Sequence, residues 1–74
     1  MKVDLLENKK LAVECDEAVQ GAELIVRNIL GRKLFSEQIN FQEKTYSLDQ
    51  QPRGAYFVQV CKDEQLFRKR IERH

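Results

Sequence analysis

Tryptophan is absent from the chain, proline and histidine occur once each, cysteine twice and glycine three times in 74 residues. Each scarcity removes a class of function. The single histidine is the terminal His74, so neither a Ser-His-Asp nor a Cys-His arrangement has a positioned base. Cys15, Cys61 and His74 lack the close spacing of a zinc site, and the "LGRK" segment lacks the glycine-rich span of a phosphate loop, so no metal or cofactor is expected. Glu14, Asp16 and Glu17 read as a solvated turn, not an acid-base pair. The chain is expected to be no enzyme. Two cysteines do not make a disulfide scaffold. Strand parity points Cys15 inward with Leu11 and Val13 and Cys61 outward, so without a bulge the two do not meet.

No apolar run approaches the roughly 18 residues of a membrane helix, and Asp4 stands where a signal peptide would begin its apolar stretch. No membrane insertion is expected, and a complete chain of this sequence would be cytoplasmic; a piece of a longer protein could be placed elsewhere. One Pro and three Gly beside 42% hydrophobic and 34% charged residues describe an ordinary globular domain. Its length suits one domain over residues 1–74, burying roughly 60% of its unfolded surface. A net charge of +1 is too small to argue for nucleic acid. The charge is uneven, however. Arg68, Lys69, Arg70 and Arg73 against Glu72 give residues 67–74 a net +3, leaving −2 over residues 1–66. Such an end serves either as a solvated edge or as a contact surface.

What the chain does contain is a series of short period-2 segments separated by polar turns. "KVDLL", a polar "ENKK" break and "LAVEC" read as a hairpin. "AELIVRN" follows Gly21 with Ala22, Leu24 and Val26 on one face, and "NILGR" closes it with Gly31 free to take a positive φ. "KLFSEQI" sets Phe35 and Ile39 against Lys33 and Glu37. "KTYSL" places Tyr46 with Leu48, "DQQPRG" is a loop, and "AYFVQV" is a central strand with Tyr56, Val58 and Val60 inward. "CKDEQ" turns into "LFRKRI", where Phe67, Lys69 and Ile71 share a face. Seven strands at intervals of roughly ten residues suggest an antiparallel sandwich. Between residues 16 and 34 the pattern also fits an amphipathic helix, with Asp16 as N-cap, Val19, Ala22, Val26, Ile29 and Leu30 near helical spacing, and Gly31 as C′ residue. Against it stand the interior Gly21, costing about 1 kcal/mol relative to Ala, and the β-branched pair Ile25 and Val26. The pattern alone leaves both readings open.

Three segments in order decide between them. "LIVRNILGRKLF" holds Asn28, Gly31, Arg32 and Leu34 in an N-x-x-G-[RK]-x-[VL] turn. "YSLDQQPRGAYFVQV" holds Leu48, Pro52, Gly54, Tyr56, Val58 and Val60. "LFRKRI" ends the chain with Arg68, Lys69 and Arg70. Together they resemble the C-terminal sorting domain on cargo proteins of the type IX secretion system of Bacteroidota, over about residues 10–72. The resemblance implies a small all-β, immunoglobulin-like antiparallel β-sandwich of about seven short strands. It also implies a folded export signal, recognised in the periplasm by an outer-membrane translocon and removed by a sortase-like peptidase, with the cargo left at the cell surface.

The residues themselves suit structural roles. Pro52 fixes its own φ, Gly54 can supply a positive φ at a tight corner, and Tyr56 can bury its ring while its hydroxyl bonds loop backbone. Exposed edge strands leave room for a weak homodimer. The second functional class is a small α+β nucleic-acid binder in which "DEQLFRKRIERH" is a basic C-terminal helix; the near-zero net charge and Gly21 weigh against it.

Overall fold

A computed structural model describes all residues 1–74. Seven strands carry the chain: β1 Lys2–Leu6, β2 Lys10–Glu14, β3 Glu23–Asn28, β4 Lys33–Gln38, β5 Glu43–Ser47, β6 Gly54–Lys62 and β7 Gln65–Arg73. They form two antiparallel sheets, β1-β2-β5 and β4-β3-β6-β7. This is the sandwich expected, with the fourth strand carried by the larger sheet.

The turns follow their residues. The "ENKK" break is a turn over residues 7–9 with Glu7 and Asn8 at φ 52 and 58, closed by Lys9 N–H donating to Leu6 at 3.0 Å. Both central residues at positive φ match the right-handed twist of the flanking strands. Between residues 16 and 34 the helical reading survives only as one 3-10 turn, Glu17–Val19, whose N-cap is Asp16 accepting from the Ala18 N–H at 3.1 Å. Gly21 at φ 86 then turns the chain, and residues 23–28 are strand. Ile29 and Leu30, candidates for a helical core stripe, are 64% and 85% exposed at the β3–β4 turn. The basic C-terminal helix of the nucleic-acid reading is likewise a strand, β7.

Alternation puts Val3, Leu11, Val13, Leu24, Val26, Tyr56, Val58 and Val60 between the sheets, joined by Ala22, Ile39 and Leu48 from segments flanking the strands. Cys15 is buried and Cys61 only half-buried, both free, as parity required. Tyr46, on the inner face opposite Leu11, packs against the core but is only half-buried at the rim. β4 departs from expectation. Val26 pairs with Phe35 but Arg27 pairs with Lys33, so Leu34 is an extra residue. This bulge throws Lys33 to the outer face, while Glu37, opposite Leu24, stays on the inner face with Phe35.

Polar side chains close both open sides of the sandwich. Where β4 lies over β5, Phe35 and Tyr46 stack at 4.7 Å, the Tyr46 hydroxyl donates to Glu37, and Lys44 Nζ sits 2.8 Å from Glu37 Oε1. Where β7 lies over β1, Lys69 Nζ donates to the Val3 carbonyl at 2.7 Å and Arg73 Nε to the Asn8 carbonyl at 2.8 Å. Arg73 Nη1 also donates to the Gln51 carbonyl, tying in the loop before β6.

Candidate functional site

The singled-out residues fall into three places. Gly31 lies in the β3–β4 turn at φ 82. Asn28 organises that turn: its N–H donates to the Arg32 carbonyl, its carbonyl accepts from Gly31, and its Oδ1 accepts from the Leu30 and Arg32 N–H groups. An Asn at the head and a Gly in the left-handed region are what such a tight turn needs.

The second place is the corner before β6. Gly54 has φ 138, and the Tyr56 hydroxyl donates to the Pro52 carbonyl, closing the loop onto the strand. Tyr56, Val58 and Val60 are 2%, 0% and 3% exposed. No partner can touch them in the folded domain. They act by holding the shape of the longest central strand.

The third place is β7, where the basic cluster divides. Lys69 opposes Val58 and Ile71 opposes Tyr56, so Lys69 points inward to the seam with β1. Arg68 opposes Gln59 and Arg70 opposes Phe57 on the outward face. The period of two separates neighbours that look alike in sequence.

That outward face gathers residues from four strands. One cross-strand row runs Lys33, Arg27, Phe57, Arg70; the next places Arg68 beside Gln59 and Ile25. Gln59 is 8% exposed and accepts from Arg27 Nε at 2.9 Å, while Arg27 Nη1 donates to the Gly31 carbonyl at 3.1 Å. Arg27 thus couples the Gly31 turn to β6. Its guanidinium is held in place by β6 and the turn. A hollow of about 200 Å³ opens between Arg27, Gly31, Phe57, Gln59 and Arg68. Reading along the chain missed Arg27, Lys33 and Gln59. Parity marks Arg27 and Gln59 as outward, but joining them to Arg68 and Arg70 requires the strand order β4-β3-β6-β7.

A larger, open hollow of about 1030 Å³ lies at one end of the sandwich, lined in part by Glu14, Cys15, Asp16 and Glu17. Burial pushes the Cys15 thiol above its ordinary pKa, with the N-terminal ammonium opposing, which is the reverse of an activated thiolate.

Compared with known proteins, the sequence matches the family model described as secretion system C-terminal sorting domain over residues 7–72. No curated protein and no solved structure matches it.

Proposed function

Since the chain belongs to the secretion system C-terminal sorting domain family, we propose that it acts as a non-catalytic, folded export signal read by a protein of an outer-membrane export machinery. The partner is a translocon component or a sortase-like peptidase, and the domain passes through the periplasm on a longer exported chain whose cargo reaches the cell surface. One observation carries this reading: the motif residues Gly31, Gly54 and Tyr56 sit at corners and in the core of the sandwich. What they offer a partner is a rigid shape, not a set of reactive groups.

The test is to fuse the domain behind a signal peptide and a reporter in a cell with a working type IX system. The reporter is expected at the cell surface. Retention in the periplasm with the domain folded overturns the reading and leaves a stand-alone interaction module.

A further inference from the structure

The outward face of the four-stranded sheet carries a charge pattern that the core does not require. Lys33, Arg27 and Arg70 stand in one cross-strand row around Phe57, and Arg68 stands in the next. Neither row contains an acid. None of the ion pairs in the fold uses Lys33, Arg27 or Arg68, and Arg70 reaches Glu72 only at 4.0 Å. Three cations without an ion pair, and a fourth at the outer limit of one, repel one another on this face, and solubility alone would be served as well by mixed signs.

We infer that this face is a docking surface for a short acidic segment of the partner protein, with one carboxylate seated in the hollow between Arg27 and Arg68. The proposal rests on the sorting reading for where the partner is met, but not for its chemistry. Arg27 is preorganised, since Gln59 and the Gly31 carbonyl occupy its Nε and Nη1 and orient its remaining N–H groups. Arg68 faces it from β7 across the buried Gln59. Two guanidinium groups around a hollow of about 200 Å³ match the bidentate geometry of a carboxylate, and Phe57 provides an apolar floor for the stem of a Glu side chain.

The extent of the patch selects the class of partner. Four strands spaced about 4.8 Å apart give a row about 15 Å across. Along the strands the face ends in acids, Glu23 beyond one side and Glu72 beyond the other. A nucleic acid or an anionic membrane would extend over those carboxylates and be repelled. A few acidic residues crossing the strands would not.

The test titrates the 15N-labelled domain with a capped peptide of alternating Glu and Gly, and with its Gln counterpart, at low salt. The Arg27 and Arg68 Nε–H signals are expected to shift with the Glu peptide only, with affinity falling as salt rises. Arg68→Gln with Arg70→Gln is expected to weaken binding at least about tenfold. Lys2→Gln with Lys10→Gln, which removes equal charge from the outer face of the other sheet, is expected to leave it unchanged. An equal loss in the two double variants, equal binding of the Gln peptide, or binding of anionic vesicles or DNA at these residues without binding of the Glu peptide, overturns the proposal. Unchanged denaturation midpoints exclude misfolding as the cause of any loss. In the reporter fusion, Arg68→Gln with Arg70→Gln is expected to cut surface display. If the unaltered and doubly substituted fusions are exported equally, this inference falls and the sorting reading stands. If the unaltered fusion stays in the periplasm, the sorting reading falls and the titration alone decides this one.

Discussion

Gly54 at φ 138 occupies backbone that L side chains rarely adopt, yet a Cβ built there meets nothing within 4 Å. The need for glycine is therefore conformational, not steric crowding. Gly54→Val is expected to destabilise the domain by more than about 1 kcal/mol in denaturant melts; an unchanged midpoint would mean that the corner relaxes freely. Tyr56→Phe keeps the buried ring and removes only the hydroxyl that donates to Pro52, so a loss of about 1 kcal/mol is expected. Glu37 tests the opposite rim. Hydrogen bonds from Lys44 and then Tyr46 hold its carboxyl below the ordinary glutamate value of 4.5, against the opposing effect of desolvation. A carboxyl lowered in the folded state stabilises above the unfolded-chain value, and that contribution is lost as pH falls through the folded value. Acid titration of stability should therefore show a loss beginning near pH 4.5 that Glu37→Gln lacks. Identical acid profiles would show that the β4/β5 rim does not depend on the Glu37 charge.

At the scale of elements, β7 contributes more than an edge. It pairs with β6 along its whole length and ties itself to the opposite sheet through Lys69 and Arg73. Lys69→Met with Arg73→Met retains apolar stems while removing the donors, at an expected cost of about 2 kcal/mol. Amide exchange should accelerate in β1 and β7 and stay slow in β3; uniform acceleration would show that the seam does not open locally. Most strands were legible because alternation is visible wherever one face is buried, as in Leu11 and Val13 or Tyr56, Val58 and Val60. The stretch from Asp16 to Leu34 was ambiguous because a capping Asp, a 3-10 turn and a strand of consecutive apolar residues mimic helical spacing. Ile25 explains part of the confusion: it is buried at 9% on the outer face, between Ser36 and Gln59, so β3 reads as apolar on both sides.

For the whole molecule, the neighbours β2 and β5, or β3 and β6, lie about thirty residues apart in sequence, so the sandwich forms only when distant segments meet. A core of this size tolerates little loss. Leu24→Ala removes a side chain with 0% exposure at the centre of that core, at an expected cost of about 2–5 kcal/mol. In the reporter fusion it is expected to lower surface display in proportion to the unfolded fraction, while Ile29→Ala with Leu30→Ala at the exposed turn leaves the fold intact. Full display of an unfolded Leu24→Ala domain would mean that the signal is linear sequence and not shape.

Sequence alone determined the strands outside residues 16–34, the positions of most turns and most of the inward residues, because backbone preference and period-2 burial are local and act on neighbours in the chain; the all-β class over the whole length came only with the resemblance. It also carried the family, through Gly31, Gly54 and Tyr56 in order. Only the tertiary structure decided what the charges do. Arg68, Lys69 and Arg70 are adjacent in sequence, yet β7 sends Lys69 into the seam with Val3 and the two arginines to the face shared with Arg27 and Lys33. The β4 bulge sends Lys33 outward and keeps Glu37 in the rim. Which charges meet depends on strand order and register, and these are set by long-range pairing that no local pattern encodes.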